Sequence, residues 1–305
     1  MLLFHDPQCA DYGSAMRPEQ PARVVRTAAH LRTVRPAWEF RLPPGADTVT
    51  DDILQLVHTP AHVRRLAQPR DFDADTPFFD GIGDHARRSV ASALAAARHA
   101  LAHRTPVFSL MRPPGHHATA TQAMGFCYLN QIALAAAYAH RSLGVARVAV
   151  WDFDAHPGNG TEAILGSLLA TPATRDAFFF ASVHQHPGYP GTGTRDLGPQ
   201  LRNWPVAPHT PRAQHMAALR ASLDAVIAFR PGLILVSAGF DAYARDPITA
   251  MTLERDDFAT LGRWLAAAGL PTAAILEGGY SPDLPLLVEA FLAAWDNPAE
   301  PLTPP

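Results

Sequence analysis

The feature that most constrains the fold is a recurring order of segments: a short apolar run, a polar stretch, then a longer, often alanine-rich stretch with helical spacing. The apolar runs cover 107–110, 147–153, 178–183, 233–236 and 272–276, each of strand length. Helical spacing covers 86–103, 130–143, 161–169, 212–229, 254–268 and 282–295, with Gly144 and Pro231 as stop signals. Strands this apolar, separated by helices, predict a three-layer α/β fold, a mostly parallel central sheet with helices on both faces. In such a sheet the reactive groups gather beyond the carboxyl ends of the strands. Polar segments follow the five runs, at 112–117, 152–156, 182–184, 239–241 and 277–280. Packing alone does not explain five such convergences. No internal repeat or low-complexity linker divides the chain, so a single catalytic domain over 1–305 is expected. A chain of 305 residues that is 48% hydrophobic can bury one large core.

Composition excludes several classes of partner. The net charge is -3 and no long basic run occurs, so nucleic acid is not expected. The opening apolar run is too short for a signal peptide, and no stretch of about 18 apolar residues exists to span a membrane. Cys9 and Cys127 form no Cys-x-x-Cys pair, which argues against a disulfide framework. A reduced, cytoplasmic enzyme is the default expectation, and a homo-oligomer is left open. All the basic residues are arginine. Codon bias explains the absence of lysine, although a chain without lysine also could not be modified on its own lysines.

The chemistry concentrates in Trp151-Asp152-Phe153-Asp154-Ala155-His156. Asp152, Asp154 and His156 fall at period two and share one side if the chain stays extended. Two carboxylates buried together need a cation, and carboxylates with imidazole suit zinc or a similar divalent ion. Asp241, closing Ser237-Ala238-Gly239-Phe240-Asp241, is the natural third ligand. Three protein ligands leave a fourth position for water or a substrate carbonyl. His116 and His117 follow Arg112-Pro113-Pro114-Gly115, a tight turn able to hold paired imidazoles in a cleft for proton transfer. Two carboxylates neutralise Zn²⁺ and acidify its water less than a three-histidine site does, so such a site needs a base. Asp152 and Asn159 are candidate orienting partners for the two rings. Tyr280, after Glu277-Gly278-Gly279, could donate a hydrogen bond to a developing oxyanion.

With these motifs in place, the sequence resembles the histone deacetylase and acetylpolyamine amidohydrolase superfamily. The matching segments are 112–118, Gly125-Phe126-Cys127-Tyr128-Leu129-Asn130, 152–161, 237–241 and 277–280, in the family's order. The resemblance implies an arginase-like α/β domain with zinc at the foot of a narrow tunnel, held by Asp154, His156 and Asp241. It implies His117 as general base and acid, His116 as its electrostatic partner, and Tyr280 as the carbonyl-polarising phenol. Phe126 and Tyr189 would wall the acyl-chain tunnel, and Gly125 would offer its carbonyl to the substrate amide. Asp75 resembles a rim aspartate that holds substrate backbone, and Arg23 an arginine lining an internal acetate pocket. A structural potassium ion would use Asp152, Asp154 and His156 with Ser182 and Val183. Pro157 departs from the family, where a second histidine is frequent, and an altered loop shape is expected there.

Two rivals fit less well. A dinuclear manganese ureohydrolase would want an aspartate two residues after Asp241, where Tyr243 stands. A non-catalytic binder of acylated amines would be expected to lose the phenol or a base histidine. The implied substrate is an acylated amine: acetyl-lysine-like first, an acetylpolyamine or other small acylated amine second. Polyamine members often carry acidic gatekeepers, but Asp246-Pro247 is followed here by Ile248. Five aspartates between Asp71 and Asp84 are read as a solvated loop rather than an acidic gate.

Overall fold

The computed structural model describes residues 1–300, so the last five positions of the expected domain lie outside the described residues. Eight parallel strands form one sheet. They are β1 (Leu2–Phe4), β2 (Glu39–Arg41), β3 (Val107–Ser109), β4 (Val148–Asp152), β5 (Phe178–Gln185), β6 (Leu201–Val206), β7 (Leu233–Ala238) and β8 (Thr272–Leu276). Their spatial order is β2-β1-β3-β8-β7-β4-β5-β6. The helices are α1 (Ala22–Val34), α2 (Asp51–Leu54), α3 (Pro60–Arg65), α4 (Ile82–His103), α5 (Gln131–Leu143), α6 (Asn159–Leu169), α7 (Arg212–Ala228), α8 (Arg255–Ala268) and α9 (Leu284–Asp296).

Alternation along the central strands explains the three layers. Val148, Val150, Phe178, Phe180, Leu233 and Leu235 point to the face covered by α4, α5 and α6. Ala149, Trp151, Phe179, Ala181, Ile234 and Val236 point to the other, covered by α1, α7, α8 and α9. Both faces are dry, so the strands read as unbroken apolar runs. Each large aliphatic or aromatic side chain so buried is worth about 1.5–3 kcal/mol. The expected parallel sheet is therefore observed, with β1, β2 and β6 added to the five anticipated strands.

The helix ends are chemically marked. Asn130 caps α5 by accepting from the N–H of Ala133 at 2.9 Å, and Gly144 ends that helix at φ 71°. Glu254 and Asp257 form a reciprocal capping box at the start of α8. Among the described residues, no helix is long and apolar enough to cross a membrane. Cys9 and Cys127 are both free and buried.

Candidate active site

β4 stops at Asp152, and the chain turns at once. The N–H of Asp154 donates to Asp152 Oδ1 at 3.1 Å, and the N–H of His156 to Asp154 Oδ1 at 2.9 Å. These side-chain-capped turns correct the expectation of an extended, period-two run. They still deliver Asp154 and His156 to Asp241, which follows β7. His156 Nδ1 lies 2.8 Å from Asp241 Oδ2 and 3.2 Å from Asp154 Oδ1. One ligand atom from each of Asp154, His156 and Asp241 lies within 4.8 Å of the others. Neighbouring loops lock the carboxylates: Ala155 N–H donates to Asp241 Oδ1 at 2.8 Å, and Gly278 N–H to Asp154 Oδ2 at 2.7 Å. A Cβ on Gly278 would lie 2.4 Å from Asp241 Oδ2 and 2.5 Å from Asp154 Oδ2, so the backbone must pass there without a side chain. Two fully buried carboxylates converging with an imidazole nitrogen fit a divalent cation in charge and donor type.

The paired histidines lie tilted against each other with ring centroids 4.0 Å apart but meet different partners. His116 Nδ1 lies 3.1 Å from Asp152 Oδ2, and its Nε2 lies 3.8 Å from Asp154 Oδ1. Burial opposes charge on this ring, yet Asp154 and Asp152 outweigh it and hold its pKa up at about 10. His117 Nδ1 lies 2.7 Å from Asn159 Oδ1. Burial, reinforced by His116 and His156, pushes the His117 pKa well below the ordinary value. The same pair thus holds one more basic and one less basic imidazole, His116 and His117. Because the Asn159 oxygen accepts, Nδ1 of His117 carries the proton and Nε2 keeps a lone pair.

Tyr280 is held from three sides. Its N–H donates to Asp246 Oδ2 at 2.7 Å, its ring lies under the Arg23 guanidinium at 4.8 Å, and Phe126 meets it edge-on at 5.8 Å. Burial pushes the Tyr280 phenol well above its ordinary pKa, against the pull of Arg23, so it remains a donor at neutral pH. Buried Arg23 donates from Nε to the Gly279 carbonyl at 2.7 Å and from Nη2 to the Glu277 carbonyl. Two further residues matter here that sequence reasoning had only as motif neighbours. Asp246 also accepts from the N–H of Ser281 at 3.2 Å and of Ile248 at 3.1 Å. Glu277 Oε2 accepts from the N–H of Gly115 at 2.6 Å and of His116 at 3.2 Å, tying the β8 end to the histidine turn. A buried carboxyl is costly unless it serves several donors, and that spatial signal is invisible along the chain.

These groups open on a cavity of about 270 Å³ lined by Arg17, Pro18, Asp75, His117, Gly125, Phe126, His156, Tyr189, Ile248 and Tyr280. Gly125 takes φ 57°, and a Cβ there would lie 2.5 Å from His117 Cδ2. Phe126 follows at φ 67°, a strained value for a side-chain-bearing residue, secured by its N–H donating to Thr76 Oγ1 at 3.1 Å. Tyr189 stands edge-on to His117 at 5.2 Å. Asp75, Tyr189 and Ile248 reach the exposed mouth. Of the five aspartates anticipated as solvated, four are exposed and Asp73 partly so, and two also shape the mouth: Asp73 caps the N–H groups of Asp75 and Thr76, and Asp71 accepts from Phe78. Ser182, expected beside the potassium ion with Val183, pairs in register with Asp152. Arg17 was not anticipated at all.

An open parallel sheet whose strand-end loops supply most of the groups lining one small cavity is the architecture of an α/β enzyme. Comparison with known proteins specifies which kind. The histone deacetylase domain family matches residues 17–294. A probable deacetylase of Methanothermobacter thermautotrophicus is 40% identical over 297 residues, covering 93% of this chain and 86% of the relative. An acetylpolyamine amidohydrolase of Mycoplana ramosa is 36% identical over 291 residues, covering 88% and 81%. The crystal structure of an acetylpolyamine aminohydrolase from Burkholderia pseudomallei superposes with a TM-score of 0.82 at 27% identity, covering 97% and 99%. The chain belongs to the histone deacetylase family. It is accordingly a hydrolytic deacetylase.

Proposed function

We propose that the chain acts as one catalytic domain that hydrolyses the N-acetyl amide of a lysine-like aliphatic amine, with Asp154, His156 and Asp241 holding zinc. The observation that carries this reading is a cluster of three ligand atoms at a cavity that one of them, on His156, lines together with His117 and Tyr280. When bound, the zinc ion would act as a Lewis acid toward the carbonyl and lower the pKa of water. His117 Nε2 would take a proton from the attacking water and return it to the leaving amine. Asn159 fixes the tautomer that makes this possible, and His116, steadied by Asp152, stands beside His117 as its electrostatic partner. The Tyr280 hydroxyl would donate to the oxygen that gains negative charge. Phe126 and Tyr189 would confine a slender chain, and the Gly125 carbonyl would accept from the amide N–H. Arg23 would steady the Tyr280 loop through its bonds to the Gly279 and Glu277 carbonyls. The structural potassium ion belongs to the same reading, supported by the register that sets Asp152 opposite Ser182. An acetylpolyamine substrate is the second reading, favoured by the relative of that name.

Purified protein is expected to carry about one zinc equivalent and to release acetate from acetyl-lysine amides. Asp241→Ala should lose both metal and activity. Normal zinc content in that variant would remove Asp241 from the ligand set.

A further inference from the structure

The mouth of the cavity carries two opposite charges that neighbouring side chains do not neutralise. Arg17 and Asp75 both line it, on a rim otherwise made of Pro18, Tyr189 and Ile248. Arg17 Nη1 donates to the carbonyl of Ala74, the residue before Asp75, at 3.4 Å, so the guanidinium stands beside the Asp75 turn. Among the described residues, neither side chain forms an ion pair. The other carboxylates of this turn brace the backbone, Asp73 and Asp71 accepting from backbone N–H groups, and Asp73 adds its field to that of Asp75 at Tyr189.

A rim of this kind discriminates among acetylated amines. An acetylated polyamine presents a distal ammonium, which Asp75 attracts and Arg17 repels. An internal lysine of a polypeptide presents uncharged amides, whose N–H groups can bond Asp75 but which bring no anion to Arg17. A free amino acid acetylated on its side-chain amine presents an α-carboxylate and an α-ammonium on one carbon. It answers both, and its methylene chain suits a narrow cavity near the small end of ligand sites, which run roughly 300–1,000 Å³. We propose that the substrate is such a side-chain-acetylated free amino acid, with its α-carboxylate on the Arg17 fork and its α-ammonium on Asp75. This rests on the deacetylase reading above. Water supplies the oxygen of the released acetate and a proton to the side-chain amine as the C–N bond breaks, so no other reactant is needed.

The test compares kcat/KM of the zinc-loaded enzyme, at low salt, for free ε-N-acetyl-lysine, its α-carboxamide, its α-N-blocked acid, the doubly blocked neutral form and N-acetylputrescine. Free acetyl-lysine should lead the carboxamide and the blocked acid by about threefold to fivefold each, the upper scale of one exposed ion pair. The lead should shrink in high salt. In Arg17→Gln the ratio of acid to carboxamide should fall toward one. In Arg17→Glu it should invert, with acetylputrescine gaining. In Asp75→Asn the ratio of free to blocked amine should collapse instead. Equal turnover of charged and neutral forms, or acetylputrescine ahead of acetyl-lysine, overturns the proposal and leaves the deacetylase reading standing. Turnover of none of the five overturns both.

Discussion

Adjacent histidines are usually interchangeable, but His116 and His117 are separated here by what each Nδ1 meets. A carboxylate faces one and an amide oxygen the other, and that difference fixes charge and tautomer more firmly than the rings' identity does. Tyr280 depends on its surroundings in the same way, since Asp246 fixes its backbone while burial keeps its proton. Tyr280→Phe preserves the packing against Phe126 and removes a single donor. Single-turnover kinetics should show kcat lowered by roughly 10²- to 10³-fold, the scale for losing one oxyanion donor. Zinc content should be unchanged. An unaltered rate would exclude the phenol from the chemistry. Most of these residues were legible in the sequence because their motifs are short and chemically distinctive. Asp246 and Arg17 were not: an Asp-Pro turn and an Arg-Pro step look like ordinary surface until the fold brings Tyr280 and the cavity mouth against them.

Among the elements, the junction of the histidine loop with α5 is held by a buried ring. His58 Nδ1 donates to the Thr119 carbonyl at 3.0 Å, and its Nε2 accepts from the N–H of Asn130 at 2.9 Å. Protonation would turn that acceptor into a donor facing another donor. Burial, then His62, pushes the pKa down to about 3 from the ordinary 6.5. The unfolded chain therefore binds more protons than the folded one between those values, and stability falls as the pH drops below 6.5. By pH 5 this histidine alone should cost about 2 kcal/mol. His58→Gln, which keeps a donor and an acceptor without titrating, should lose that much less between pH 7.5 and pH 5 in urea titrations. Parallel losses would show that the acid sensitivity lies elsewhere. Legibility also varies with element. β4, β7 and β8 announce themselves because both faces are covered and every residue is buried. The edge strand β6 mixes Arg202, Asn203 and Pro205 into its run, and β1 and β2 have three residues each, too few to show a period. In α1 the apolar stripe of Val24, Ala28 and Leu31 is interrupted by arginines, so it lacks the alanine-rich signature of α4 and α5.

Across the whole molecule, the segment before α1 is joined to the sheet by charge. Arg112 is fully buried, and its Nη2 donates to Glu19 Oε2 at 2.7 Å, while its Nε bonds the other carboxylate oxygen. Arg23 donates to the same carboxylate at 3.3 Å. Removing the shared anion leaves two buried guanidinium groups facing each other. Glu19→Ala should therefore cost roughly 3–5 kcal/mol, seen as a lower denaturant midpoint. A loss below about 1 kcal/mol would mean that the carboxylate is not the clamp. The strand order carries a consequence in time as well as in space. β8 lies between β3 and β7, although both of those strands leave the ribosome before it. A nascent chain therefore holds two bare, apolar strand edges apart until residues 272–276 emerge and insert between them. Tyr280 arrives only a few residues later, so the catalytic machinery is closed by the same late event that seals the sheet. Until then the growing polypeptide is at its most vulnerable to edge-to-edge association, and a chaperone that shields it has a defined interval in which to act.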